Sequence, residues 1–365
     1  FEDIPEYIQT LNRFLPYSAL GTISDIMPLN QHANRLIVSL GIKQMKTSPE
    51  PALQALFSYQ KLDLQLLNST DLAWKITPVL NSPGRMGDAR IAEHFIDEDY
   101  TSVINDNLEK IIEMNNQRRI QADTGVEMFI DKLDENAAQF AGHLNFFHSP
   151  QIGRGVLGIT AAKLSQESGR PVIVGVTDDE YFSGSIRGDV SIHLVDFLSK
   201  ASNLLEEFGG HKNAAGFRMK IENLTAFEDF LVKNAADCSV AVTDDTPDFK
   251  VDAQIPVAYL EPVLLYKQLA MLEPFGEENP VPLLYTNNLR ILSFSFVGKN
   301  KEHLKITFAG KDNQPVSAVY WGKARWFAEN CHVDKSFSVL YRLEINSFRG
   351  SVTVQMNIEN MEEEV

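Results

Sequence analysis

Near the start of the chain the run SALGTISDIM, from Ser18 to Met27, reads as a short strand entering a loop. The next apolar positions, Leu36, Ile37, Leu40 and Ile42, recur near helical spacing. Ser69 and Thr70 are cap candidates for a helix through NSTDLAWKITPVL, and NSPGRMGDAR, rich in turn formers, reads as a loop. A long charged stretch follows, with apolar residues at Val103, Leu108, Ile111, Ile112 and Met114, then Val126, Met128, Phe129 and Leu133. It predicts one long helix or two stacked ones, with a break near Gly125.

The pattern then changes to alternation of strands and helices. HLNFFHS is a strand, GVLGITAAKLSQESG a helix closed by Gly169, and PVIVGVT a buried strand. VSIHLVDFLSKASNLLEEF reads as a helix, FRMKI as a strand and LTAFEDFLVKNAAD as a helix. This alternation predicts an α/β domain over residues 139–241. TDDTPD marks its end, and five or six short β runs with one helix, LEPVLLYKQLAML, fill residues 247–365. That spacing suggests a small barrel or sandwich. In EHLKITF, Leu304, Ile306 and Phe308 are expected inward and His303, Lys305 and Thr307 outward.

Composition narrows the function classes. The 365 residues carry a net charge of −16, so any contact with phosphate has to come from a local basic surface. Two cysteines, Cys238 and Cys331, give no disulfide framework and suit a reducing cytoplasm. No apolar run approaches the ~18 residues of a membrane span. The chain opens on Phe1 with no signal-peptide pattern, and reads as the continuation of a longer protein.

Two glycine-bearing stretches, both expected as loops, offer chemistry. In EEFGGHKNAAGF, Gly209 is placed to cap a helix ending at Phe208, while Gly210 adds freedom that a cap does not need. Exposed glycine N–H groups, the His211 ring and Lys212 together suit an anion. The alternative is an ordinary helix-to-strand turn. FSGSIRGD adds the hydroxyls of Ser183 and Ser185 and the forked donor of Arg187.

Taken in order, GSIRGDV and EEFGGHKNAAGF resemble the DHH-associated domain of the DHH phosphoesterase superfamily. LGTISDIMPLN, LNSPGRM, GVLGITAAKL and LEPFGEENP narrow the resemblance to the RecJ family of single-strand-specific exonucleases. It implies the end of a DHH-type α/β domain at 1–48, a helical connector at 49–138, a DHH-associated domain at 139–241 and an OB-type barrel at 247–365. It further implies 5′-to-3′ hydrolysis of single-stranded DNA in repair and recombination with two divalent ions, manganese or magnesium, and a single-strand-binding protein as a further partner. Asp25 is the implied metal donor. The DHH triplet and earlier aspartate motifs are absent, so this chain is expected to bind strands without cutting them. Arg85, Ser183, Ser185, Arg187, Gly209, Gly210 and His211 are the expected phosphate contacts. Lys299, Lys301, His303 and Lys305 are the expected strand contacts on the barrel, with Tyr320, Trp321 and Phe348 as stacking or core aromatics. Ser82 and Pro83 replace two alanines of the family loop, and Ile152 and Gly153 its Trp-His pair. The alternatives are a small-nucleotide phosphodiesterase, which would lack the barrel, and a non-catalytic DNA-binding or scaffold protein. The tail of an alanyl-tRNA synthetase has no place for LGTISDIMPL.

Overall fold

The structure is a computed structural model that describes residues 4–98, 100–189, 192–238, 249–348 and 351–364. Its contacts gather into two compact units, one of residues 1–48, 64–73 and 247–365, the other of 49–63 and 74–246.

In the first unit the segment expected as a strand is the end of a helix, Ile4–Ser24, packed on a second, His32–Thr47. Tertiary packing overrides the local pattern here. Ala19 is fully buried, and a β-carbon on Gly41 would lie 2.4 Å from it, so glycine alone permits this approach. The first helix ends in a Schellman motif: Met27 N–H donates to Thr22 and Ile26 N–H to Ile23. Ile26 occupies the left-handed position, φ 53°, that glycine usually takes. The helices are tied to the segment before the barrel by Arg35, donating to Leu272 and Glu273 carbonyls, and by Leu29 N–H, donating to Glu277. Asn68 rather than Ser69 caps the next short helix, in a reciprocal capping box with Asp71.

The barrel closes as expected of an OB-type domain. Strands β7 (Leu284–Val297), β8 (His303–Ala309), β9 (Pro315–Tyr320), β11 (Ser351–Glu363) and β10 (Ser336–Phe348) pair in that order, and β10 returns to β7. A two-residue strand, β6 (Ala253–Gln254), adds to β7. Leu304, Ile306 and Phe308 are buried and Lys305 is exposed, as the alternation predicts.

In the second unit the charged stretch forms one continuous helix, Thr101–Phe129, followed by a short turn and Leu133–Gln139. Gly125 does not break it. A β-carbon there would meet the Thr160 side chain at 3.0 Å, so Gly125 seats the helix Leu157–Ser168 instead. The five-stranded sheet runs β1 (Asn145–His148), β2 (Val172–Thr177), β3 (Tyr181–Arg187), β5 (Ala214–Lys220), β4 (Glu207–His211). Only the β1–β2 pair is parallel. One face, with Phe182, Ile186, Phe217 and Met219, packs into an apolar core with Phe197 and Phe227 from helices Leu194–Ser199 and Leu224–Asn234. Val172 and Val174 on the other face meet helix Leu157–Ser168.

Three expectations change in this unit. FSGSIRGD is mostly strand β3, not a loop. The helix expected over 190–208 is confined to Leu194–Ser199, and Glu207–His211 is an edge strand joined to β5 by a tight turn at Lys212 and Asn213. Every residue of that strand is exposed, so no apolar alternation announces it. Gly209 is therefore in a strand and does not cap a helix. The loop expected at 81–90 contains a helical turn, Ser82–Met86, with Pro83 in its first turn and Gly87, φ 127°, ending it. Ser82 is buried and its hydroxyl donates to the Val79 and Ile111 carbonyls, which satisfies it inside the packing.

Candidate functional site

Alternation along β3 puts Ser183, Ser185 and Arg187 on the face opposite the aromatic core. The register sets Ser183 beside Arg218, Ser185 beside Gly216 and Arg187 beside Ala214. Across β5, Arg218 pairs with Glu207, Gly216 with Gly209 and Ala214 with His211. Over this face opens a recess of about 620 Å³, lined by Arg85, Arg154, Arg187 and Arg218 together with both serines and Gly209. Five expected residues, Arg85, Ser183, Ser185, Arg187 and Gly209, thus converge. His211 lies one row beyond, exposed, and Gly210 does not line the recess.

The two glycines differ in their reason for being glycine. Gly210 has φ 147°, and a β-carbon would sit 2.2 Å from the Ala214 carbonyl oxygen. It is a backbone requirement. Gly209 has nothing within 4 Å of where a β-carbon would stand. Its missing side chain leaves the middle row of the sheet, with Gly216 beside it, as open floor.

Arg187 is fixed from below. Its Nη1 donates to Ser185 Oγ at 2.8 Å and to the Ile186 and Ala215 carbonyls at 2.8 and 3.3 Å. Burial, and then the charge of Arg85, pull its pKa below the ordinary arginine range. It remains a cation, held close to a second cation in a partly dry site, which an anion would relieve. The first turn of helix Leu157–Ser168 faces the same place: a β-carbon on Gly158 would lie 2.5 Å from Arg187 Nη2 and 3.3 Å from Ser185 Oγ. A helix N-terminus favours negative charge. The Arg85 turn abuts the short 3-10 turn Arg154–Val156 that leads into this helix, since a β-carbon on Gly155 would overlap the Arg85 carbonyl oxygen at 1.8 Å. Arg154 and Arg218 were not foreseen. Each stands beside a recognisable motif, but only the strand register shows that Arg218 shares the face of the serines.

On the barrel, Lys299 and Lys301 occupy the exposed β7–β8 turn, and Lys305 is exposed on β8. His303 Nδ1 accepts from Gly322 N–H at 3.0 Å, and its ring meets the exposed Trp321 edge-on at 4.8 Å. Tyr320 is a core residue, 5% exposed, while the Phe348 side chain lies outside the described residues. Phe294 and Phe296, missed in the sequence, are partly exposed at one end of the barrel. Their alternation with serines resembles ordinary strand patterning.

Asp25 is the exposed C-cap residue of the first helix. Among the described residues no three His, Cys, Asp or Glu side chains gather to hold a metal. The described residues do not form a two-ion centre. Among the described residues no helix is long and apolar enough to cross a membrane.

Residues 138–237 match the DHHA1 domain family and residues 251–360 the RecJ OB domain family. The chain is 28% identical over 96% of its length to the single-stranded-DNA-specific exonuclease RecJ of Bacillus subtilis, covering 44% of that protein. It is 27% identical to the Escherichia coli exonuclease of the same name over 97% of its length, covering 62%. The crystal structure of Thermus thermophilus RecJ in complex with Mn2+ superposes with a TM-score of 0.78 at 23% identity, covering 97% of this chain and 50% of that one. The chain thus spans about half the length of the relatives it matches, along their C-terminal part. The serines, Arg187 and Arg218 fall in the DHHA1 match and the basic strand in the RecJ OB match, so the chain carries a DHHA1 domain followed by a RecJ OB domain, along which it aligns with the RecJ exonucleases.

Proposed function

We propose that this chain supplies the strand-holding part of a 5′-to-3′ single-stranded-DNA exonuclease of DNA repair and recombination. The supporting observation is the recess of four arginines and two serines at a helix N-terminus, which suits a 5′-terminal phosphate. Arg187, anchored by Ser185, presents its guanidinium edge, and Arg85 adds charge from the facing turn. The barrel surface with Lys299, Lys301, His303 and Lys305 suits a nucleic-acid backbone in its own right, and Trp321 offers a face for stacking. Hydrolysis in the whole enzyme is assigned to a pair of manganese or magnesium ions with Asp25 as one donor. A single-strand-binding protein is a further partner, and the cytoplasm, where free thiols persist, is the assigned compartment.

The test is a titration of residues 1–365 with oligothymidine bearing a 5′-phosphate or a 5′-hydroxyl, and with duplex. Tighter binding of the phosphorylated single strand is expected. Equal affinity for both ends would remove the recess from the reading, and preference for duplex would sink it.

A further inference from the structure

We infer that the recess holds a second phosphate station, built on Arg218 and Ser183, which takes the phosphodiester adjoining the terminal phosphate. This rests on the phosphate reading of the recess and extends it from one group to two. Ser183 and Ser185 are two residues apart on one face of β3, so their rows are separated by about 6.8 Å. That is comparable to one step between phosphates along a nucleic-acid strand. Each station has a hydroxyl and a guanidinium: Ser185 with the Arg187 side chain that reaches back to it from the next row, and Ser183 with its cross-strand neighbour Arg218. Beside Ser185 the floor is bare, because Gly216 and Gly209 in its row have no side chains.

Arg218 is held in place without being consumed. Its guanidinium carbon lies 3.7 Å from the centroid of the Tyr181 ring, a stacking contact that fixes the plane and leaves the N–H edge available. Its Nε is buried and has no hydrogen-bond partner among the described residues. An unpaired buried donor is costly unless something completes it. Arg154 stands on the same flank. Asp178, whose carboxyl is kept below its usual range chiefly by the Tyr181 and Glu180 backbone N–H groups, also feels the charges of Arg218 and Arg154. Those two N–H bonds, at 2.7 and 3.1 Å, both end on Asp178 Oδ1, and neither arginine forms an ion pair with the carboxylate among the described residues. Glu207, across from Arg218, is the one carboxylate lining the recess. It sets a boundary: the second station is suited to a singly charged diester rather than to another terminal monoester.

The test compares thymidine 5′-monophosphate with the 5′-phosphorylated dithymidine dinucleotide, each titrated against residues 1–365 at fixed low salt. Wild type should bind the dinucleotide more tightly. Arg218→Gln should weaken the dinucleotide about tenfold and the mononucleotide less than about twofold, whereas Arg187→Gln should weaken both. Tyr181→Leu, which keeps the charge but removes its platform, should give an intermediate loss on the dinucleotide alone. Arg218→Lys keeps both charge and fold and should retain part of the gain. An equal loss on both ligands in Arg218→Gln, or no dinucleotide advantage in wild type, would overturn the second station and leave the first intact. Failure of wild type to bind either ligand would overturn the phosphate reading itself.

Discussion

Gly158 and Arg187 are matched across the recess: the space a β-carbon would take on the helix is occupied by the guanidinium, 2.5 Å from that point. Gly158→Ala therefore pushes Arg187 off its anchor on Ser185. Alanine favours the helix by about 0.8–1 kcal/mol, so melting temperature should hold or rise. Affinity for 5′-phosphorylated single strands should fall about tenfold, as expected for one charge-assisted contact. A matched fall in stability and affinity would assign Gly158 to packing instead.

Gly209 and Gly210 should part company on substitution. Gly210→Ala forces a side chain onto a left-handed backbone and into the Ala214 carbonyl, and should cost about 1–3 kcal/mol. Gly209→Ala meets open space and should leave chemical denaturation unchanged while weakening strand binding. The denaturation midpoints of the two variants decide this.

Salt should weaken binding of single strands. Each phosphate contact made steepens the fall of log K against log salt by about 0.7 for a single strand. Lys305→Gln, at an exposed position on β8, should reduce the slope by that amount without changing the preference for a 5′-phosphate. An unchanged slope would take Lys305 off the strand path.

Manganese added to residues 1–365 should produce no loss of 5′-end label from a single strand, because Asp25 has no companion donors among the described residues. Asp25→Ala should leave strand binding unaltered. Metal-dependent release of nucleotides would show that a donor set forms that these side chains do not display.

Ile26 carries strain that a glycine would relieve. A β-branched residue at φ 53° is a rare outlier. The left-handed conformation costs an L-residue roughly 1–2 kcal/mol, and Ile26 is 68% exposed, so little packing is lost. Ile26→Gly should raise stability by about 1 kcal/mol, read as a shift in denaturation midpoint.

The barrel and most of the α/β unit were legible because their strands alternate or run apolar, as in β8 and β2. β3 was misread since a motif rich in serine and glycine reads as loop, although Phe182 and Ile186 alternate through it and are fully buried. β4 was illegible on its own, for it has no buried residue and is a strand only by pairing with β5. The first helix was misread where Gly21 and Thr22 mask a segment that close packing on Gly41 keeps helical. The serines and Arg187 were found by motif. Arg218 needed the register, because nothing in the sequence alone places it opposite Ser183.

Among the described residues β4 has a hydrogen-bonding partner strand on one side only, so its five residues form an open margin of the sheet, with Glu207, Phe208 and Gly209 beside the recess. An open margin is ordinarily a template on which a foreign strand can grow. Here it is short, begins with a carboxylate, contains two adjacent glycines and ends beside a lysine, all poor material for such growth. The residues that keep the floor bare for a ligand thereby also discourage the chain from self-association through this border.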